Sequence, residues 1–198
     1  MLKPSRPRGF TLVELMVSVA LLALLLASAV PSFRGWISNA QVRTASDALQ
    51  TGVRQAQSEA LRRSQQVVLF RTADGSCSAT ASAATTGKFW VLRTVAAGTG
   101  QTAALIQCGT LIEAQSSVLV SGPAALCFSG AGRQTANGAP GLGGLACELD
   151  AGGFSVFDVT STGADRPLRV RISLGGSVQM CDPAKTFSAS VPDGCPAA

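Results

Sequence analysis

The sequence contains no histidine and no tyrosine among its 198 residues. Histidine is the commonest general base near neutral pH and the commonest metal ligand, so the usual starting point for a catalytic or metal site is missing. Charged residues make up only 14% of the chain and hydrophobic residues 46%, a balance that excludes a largely disordered protein. The acidic residues follow no catalytic spacing, and no Cys-x-x-Cys occurs. The composition therefore predicts a folded protein that is not an enzyme and holds no metal or cofactor.

The positive charge is concentrated at the start of the chain. The net charge is +5, and Lys3, Arg6 and Arg8 all precede the first apolar run. From Ser64 to the end, the sequence has eight basic and eight acidic residues. A neutral domain of this kind lacks the broad electrostatic footprint that nucleic-acid-binding domains carry.

One long apolar run follows the basic cluster. Residues 10–30 are almost all apolar, and a helix of that length crosses a hydrocarbon core of about 30 Å. The positive-inside rule places the start of the chain in the cytoplasm and the rest across the membrane, with Trp36 at the far interface. The alternative is a cleaved secretory signal, for which Ala27-Ser28-Ala29 imitates a cleavage site. The run itself predicts a single membrane span.

The junction between the basic cluster and the apolar run carries a specific motif. Gly9 is followed at once by Phe10-Thr11-Leu12-Val13-Glu14, and a bare carboxylate within an apolar helix costs about 3 kcal/mol or more. The run resembles the class III signal of type IV pilins and type II secretion pseudopilins. That resemblance implies that a prepilin peptidase cuts between Gly9 and Phe10 and that the new Phe10 amine is methylated. It also implies that Glu14 pairs with the amino terminus of a neighbouring subunit, the alternative being a Glu tolerated at a water-accessible edge.

The rest of the sequence predicts an α+β domain. Apolar residues recur at three- and four-residue steps as far as Arg63, which predicts that the helix continues, with a kink at Pro31. The segment 130–153 is rich in glycine and is predicted to be a loop. Strands of an antiparallel sheet with one core are predicted at 66–71, 88–93, 117–120, 125–128, 154–159, 168–174 and 178–180.

This order of elements resembles the H-type pseudopilins of type II secretion and the minor type IV pilins related to them. The resemblance rests on Phe89-Trp90-Val91-Leu92, on Leu126-Cys127-Phe128-Ser129-Gly130 and on the final Gly-x-x-x-x-Cys-Asp-Pro that begins at Gly176. It implies a type IV pilin-like fold divided into a cleaved leader (1–9), a transmembrane half-helix (10–30), a periplasmic half-helix (31–63) and a β-rich domain (64–198).

The resemblance also implies a function and a location. The expected function is that of a non-catalytic subunit of a filament, either an H-type pseudopilin of type II protein secretion or a minor pilin of a type IV pilus. Such a subunit is held in the bacterial inner membrane by one span, with a cytoplasmic amino terminus and a periplasmic domain, and then enters the pilus or pseudopilus. The expected partners are prepilin peptidase and other pilins or pseudopilins.

All six cysteines lie beyond the predicted helix, which favours disulfide formation after export. Six cysteines permit about 15 complete pairings. Cys181 and Cys195 flank a short proline-containing tail, and a bridge between them would contribute about 3 kcal/mol in the loop-entropy model. Cys127 with Cys147 would close the glycine-rich segment, and Cys77 with Cys108 would remain.

A DNA-binding minor pilin used in natural transformation is the alternative function. Arg169 and Arg171 alternate with apolar residues in a predicted strand, so both project from one face, with Arg166 nearby. DNA receptors in the resembling group carry Gly-Arg-x-Arg near the end of the domain, whereas this sequence has Gly176-Ser177-Val178-Gln179 there. Acidic neighbours favour a solvated sheet face, and we expect no appreciable binding of duplex DNA.

Overall fold

The structure is a computed structural model that describes residues 9–96, 98, 100–113, 116–149 and 152–196, without the side chains of residues 28–32. Within these residues, one helix is followed by eleven strands. The helix is α1 (Leu12–Arg63). The strands are β1 (Val67–Thr72), β2 (Phe89–Thr94), β3 (Leu105–Thr110), β4 (Val118–Ser121), β5 (Ala125–Phe128), β6 (Asn137–Leu142), β7 (Leu145–Cys147), β8 (Phe154–Ser161), β9 (Leu168–Ser173), β10 (Val178–Thr186) and β11 (Gly194–Cys195).

Helix α1 is 52 residues long and continues through Pro31 instead of ending there. It ends at Arg63 because Ser64 adopts a left-handed conformation, with φ of 49°, and its N–H bonds back to the carbonyls of the last turn. In that turn Glu59 accepts hydrogen bonds from Arg62 and Arg63, which lower the pKa of its carboxyl to about 2. The positive charges of Arg62 and Arg63 also interact favourably with the negative, carboxyl-terminal end of the helix dipole.

The strands form two sheets and a separate hairpin. The first sheet has the order β3-β2-β1-β5, the second has the order β11-β10-β9-β8-β4, and β6 pairs only with β7. All neighbours are antiparallel except β10 and β11, which run parallel. The predicted architecture of a long helix on antiparallel β-structure is confirmed, but the strands form two sheets where one was predicted.

The main core lies between the second half of α1 and both sheets. A stripe of the helix is fully buried there, whereas its opposite face is exposed. The stripe consists of Val42, Ala45, Leu49, Val53, Ala56 and Ala60. A second buried cluster lies on the other face of the first sheet, where Leu142 and Cys147 of the hairpin pack against Phe70 and Val91. The described residues therefore form two apolar clusters, one on each face of the first sheet.

Three elements differ from the prediction. Strand β3 was not predicted; it is an edge strand of mixed, half-exposed sequence, so it lacks a clear alternation. The segment 130–153 was predicted to be a loop, but it contains the β6–β7 hairpin, in which Gly141 and Gly144 have positive φ. Strand β10 is longer than predicted and ends at Thr186, because it also pairs with the short β11.

Gly109 on β3 provides a test of this packing. It lies opposite Trp90 on β2, and a Cβ added at Gly109 would come within 2.6 Å of the indole ring. Gly109→Ala should therefore lower the free energy of unfolding by about 1–3 kcal/mol through overpacking. The measurement is denaturant unfolding of the full chain in detergent. Gly138→Ala is the control, because no atom lies within 4 Å of its added Cβ; equal midpoints for the two variants would contradict the packing described.

Candidate functional site

The peptide bond between Gly9 and Phe10 lies outside regular structure. The helix begins at Leu12, so neither residue is held in its hydrogen-bonding pattern. Phe10 is 83% exposed, and no atom lies within 4 Å of a Cβ added at Gly9. A protease cleft can therefore reach this bond without unwinding the helix.

Glu14 lies in the first turn of α1, where its main chain and its side chain have different environments. The backbone N–H of Glu14 donates to Thr11 Oγ1 at 3.2 Å, and its carbonyl oxygen accepts from Ser18 Oγ at 2.7 Å. Thr11 is thus the N-cap of the helix. Within the described part of the chain, the carboxylate of Glu14 has no hydrogen-bond or ion-pair partner. The cap leaves this carboxylate available to a group from another molecule.

Apolar side chains cover the first half of α1 on all sides and are exposed. Twelve large hydrophobic residues from Phe10 to Leu26 are between 53% and 83% exposed. Of the described residues, none belongs to a helix that is both long and apolar enough to cross a membrane. Residues 28–30 of the predicted span 10–30 lie outside the residues whose side chains are described.

The two strand arginines predicted to contact DNA do lie on one face of β9, but both have partners. Arg169 donates to both carboxylate oxygens of Asp158 on β8, from Nε at 2.6 Å and from Nη2 at 3.0 Å. These hydrogen bonds raise the pKa of Arg169 above its ordinary value. The guanidinium of Arg171 lies 4.4 Å from the centre of the Phe154 ring. Both arginines therefore already interact within the chain, and the carboxylate of Asp158 offsets the positive charge that Arg169 would present to a phosphate.

Arg166 lies apart from these two, at the mouth of a groove of about 690 Å³ between α1 and the second sheet. Its backbone N–H donates to Asn39 Oδ1, which attaches the β8–β9 turn to the helix. The groove also contains Lys185, which forms ion pairs with Asp182 at 3.4 Å and Asp193 at 2.5 Å. The hydrogen bond with Lys185 lowers the pKa of Asp193 and raises that of Lys185. The charges of this groove largely cancel.

The described residues contain three disulfides, and each joins two separate parts of the domain. The pairs are the ones considered from the sequence: Cys77–Cys108, Cys127–Cys147 and Cys181–Cys195. The first attaches the β1–β2 loop to the edge strand β3, and the second attaches the β6–β7 hairpin to β5. The third links β10 to β11 and so fixes the carboxyl-terminal tail.

The structure also buries two arginines that the sequence analysis did not single out. Arg93 is 5% exposed and has several partners. Its Nη1 donates to the Ala79 carbonyl and its Nη2 to the Gly141 carbonyl, both at 2.5 Å, and its guanidinium lies 5.5 Å from the Phe70 ring centre. Burial lowers the pKa of Arg93. The signal in the sequence was an arginine within an otherwise apolar strand.

Arg71 is buried on the opposite face of the first sheet and has fewer partners. It is 3% exposed, and its Nη2 donates to the Val120 carbonyl at 2.7 Å. Its Nε and Nη1 atoms are buried, and neither has a hydrogen-bond partner among the described residues. Burial lowers the pKa of Arg71 to about 10. Because Val120 belongs to the edge strand β4, this hydrogen bond connects the two sheets.

Comparison with known proteins gives one sequence match and three structural matches. The family described as the prokaryotic N-terminal methylation motif matches residues 4–30. The type IV minor pilin FimU of Pseudomonas aeruginosa is 17% identical, with a TM-score of 0.48 over 78% of this chain and 94% of FimU; a second crystal form gives a TM-score of 0.46. The minor pseudopilin EpsH from the type 2 secretion system of Vibrio cholerae is 12% identical, with a TM-score of 0.44 over 73% of this chain and 99% of EpsH. No curated protein matches the chain.

The sequence match concerns the segment whose geometry is described above. It includes Gly9, Phe10 and Glu14, and it supports the predicted resemblance to prepilins. The α+β architecture supports the same resemblance through the described helix and strands.

The arginine geometry yields a prediction about DNA. We expect the full chain in detergent to show no saturable binding of duplex DNA at micromolar concentration and physiological salt, because Arg169 and Arg171 already have partners and few phosphate contacts remain. Fluorescence anisotropy of a labelled duplex measures this. Asp158→Asn, which removes the carboxylate that pairs with Arg169, serves as the comparison and should bind more tightly than the unaltered chain. Micromolar binding by the unaltered chain that is lost in Arg169→Ala with Arg171→Ala would contradict the expectation.

Proposed function

We propose that the protein is a non-catalytic, pilin-like subunit of a filament assembled at the bacterial inner membrane. The observation that carries this proposal is the amino-terminal segment. An exposed Gly9–Phe10 bond lies just ahead of the helix, and the carboxylate of Glu14 in its first turn has no partner among the described residues. The same residues lie within the matched methylation motif. Cleavage at Gly9 would create a positively charged amine near the carboxylates of neighbouring subunits.

The two halves of α1 support this proposal. In the part of the chain that the structure describes, the domain covers the second half of the helix, through the buried stripe that begins at Val42. The first half exposes its large apolar side chains on every side, and exposed apolar area of this size is unfavourable in water. We infer that lipid covers it before assembly and that the helices of other subunits cover it within the filament.

If lipid covers the first half of α1, the chain crosses the membrane in one orientation. The basic residues ahead of Gly9 remain in the cytoplasm, one span holds the chain in the inner membrane, and the domain lies in the periplasm. The three disulfides support the last point, because they form in an oxidising compartment.

Two machines use subunits of the kind proposed, and we propose that this chain serves one of them, as an H-type pseudopilin of type II secretion or as a minor pilin of a type IV pilus. Deletion of the gene separates the two. Loss of secreted enzymes from the medium indicates the pseudopilin, and loss of surface pili indicates the minor pilin. The DNA-binding alternative is less favoured because the arginines of β9 are already paired with Asp158 and Phe154.

Processing is the first test. Co-expression with a prepilin peptidase should yield a chain that begins at Phe10 and carries a methyl group on its amine, because the Gly9–Phe10 bond is exposed and not helical. Mass spectrometry of the membrane fraction measures both changes. Gly9→Val should block them, since a β-branched side chain replaces the hydrogen next to the cleaved bond. A mature chain that begins after Ala29 would show a secretory signal and contradict the proposal.

The role of Glu14 is the second test. Glu14→Leu should still insert into the membrane, because the change removes a carboxylate from an apolar helix. Its incorporation into filaments should fall by more than about tenfold, since removing one partner of a buried ion pair costs about 3–5 kcal/mol. Quantitative immunoblotting of sheared filaments measures this. Glu59→Gln is the control, because Glu59 lies on the same helix but pairs within its own chain; equal incorporation of all three chains would refute the role.

A further inference from the structure

The β8–β9 turn (residues 162–166) is attached to α1 shortly after the apolar run. Ser38 Oγ donates to a carbonyl of the turn at 3.2 Å, and Asn39 Oδ1 accepts from two of its N–H groups at 3.0 and 3.1 Å. Gly35 faces the turn as well, because a Cβ added there would lie 3.7 Å from one of its carbonyl oxygens. These contacts hold the turn beside the helix residues 35–39.

The position of this attachment sets the depth of the turn relative to a bilayer. In the proposed function, on which this inference rests, residues 10–30 cross the hydrocarbon core. Gly35 lies five residues beyond that span, or about 7–8 Å along a helix. The headgroup layer extends about 5–7 Å from the core on each side. A turn that contacts Gly35 therefore lies at the outer level of the lipid headgroups.

The helix exposes two aromatic rings at the same level. Phe33 and Trp36 are 62% and 68% exposed, and their rings meet edge to face with centres 6.0 Å apart. Tryptophan is enriched where lipid meets water, because its ring is largely apolar and its N–H is polar. These rings continue the exposed apolar surface of the first half of α1 into the headgroup layer.

Arg34 supplies the positive charge that a lipid phosphate attracts. It lies one helical turn before Ser38, on the face that holds the β8–β9 turn, and helical side chains lean toward the amino-terminal end, which here is the membrane side. Arg34 is exposed and has no hydrogen-bond or ion-pair partner among the described residues. Within the turn, the charges of Asp165 and Arg166 offset each other, so Arg34 carries the net charge at this level.

We propose that the β8–β9 turn, Phe33, Arg34 and Trp36 form a surface that binds phospholipid headgroups, with Arg34 on a lipid phosphate. The domain then rests on the bilayer in one orientation, because the turn cannot move without breaking its hydrogen bonds to α1. A subunit that leaves the membrane for a filament must break these lipid contacts.

The test measures the depth of single spin labels on the full chain in vesicles of phosphatidylethanolamine and phosphatidylglycerol. All six cysteines are paired, so one introduced cysteine gives one labelled site. Collisions with oxygen and with a water-soluble nickel chelate locate each label. The label of Ala20→Cys should lie deep in the bilayer, and that of Thr162→Cys within about 5 Å of the lipid phosphates. The label of Ala131→Cys, beside the turn that packs on Leu61, should lie in water.

Two outcomes overturn the inference in different ways. If the Thr162 label is as open to the nickel chelate as the Ala131 label while the Ala20 label is deep, the headgroup surface is refuted and the membrane span stands. If the Ala20 label lies in water, the span is refuted, and the proposed function fails together with this inference.

Arg34→Gln tests the phosphate contact itself. It should raise the nickel accessibility of the Thr162 label by about fivefold, since one arginine beside an anionic bilayer contributes roughly that factor to binding. Arg54→Gln is the control, because Arg54 is also exposed on α1 but lies about 30 Å farther along the helix; it should leave the label unchanged. Equal accessibility in the two variants would refute the role of Arg34.

Discussion

The structure depends on the packing of one apolar stripe of α1 against two sheets at once. The stripe combines the branched residues Val42, Leu49 and Val53 with the small residues Ala45, Ala56 and Ala60. Each sheet has an edge strand near this stripe. Arg71 of the first sheet donates to the carbonyl of Val120 in the second sheet and so connects the two sheets. Because the buried stripe begins at Val42, the preceding half of the helix has no covering from the described residues of its own chain. The same packing that stabilises the domain therefore leaves the amino-terminal half available to other molecules.

The parts of the fold that sequence could predict are those whose cause is local. The helix end near Arg63 and the strands β1 and β2 follow from apolar periodicity, which needs no knowledge of distant residues. The edge strand β3 and the β6–β7 hairpin have distant causes: β3 exists because it pairs with β2, and the hairpin packs on β5 and is linked to it by Cys127–Cys147. A glycine-rich sequence gives no sign of such contacts.

The residues of the candidate sites also differ in whether neighbouring or distant parts of the sequence determine their arrangement. Gly9, Phe10 and Glu14 are neighbours in sequence, so their motif was visible without a structure. The alternation of β9 predicted that Arg169 and Arg171 share a face, but their partners depend on the register of β8 with β9, which places Asp158 opposite Arg169. The burial of Arg71 depends on three elements, and no local pattern of the sequence indicates it.

Several charges of the described residues form ion pairs within the chain, whereas Glu14 and Arg71 do not. Arg169 pairs with Asp158, and Lys185 with Asp193, so these charges are neutralised locally. Glu14 and Arg71 differ because each is a charge set among apolar groups without an opposite charge from the described residues. Glu14 lies on an exposed part of the helix that another molecule can reach, whereas Arg71 lies in the core and donates to the Val120 carbonyl. The carboxylate of Glu14 can therefore gain a partner from outside the chain, whereas the charge of Arg71 interacts only with groups of the core and so affects the stability of the domain.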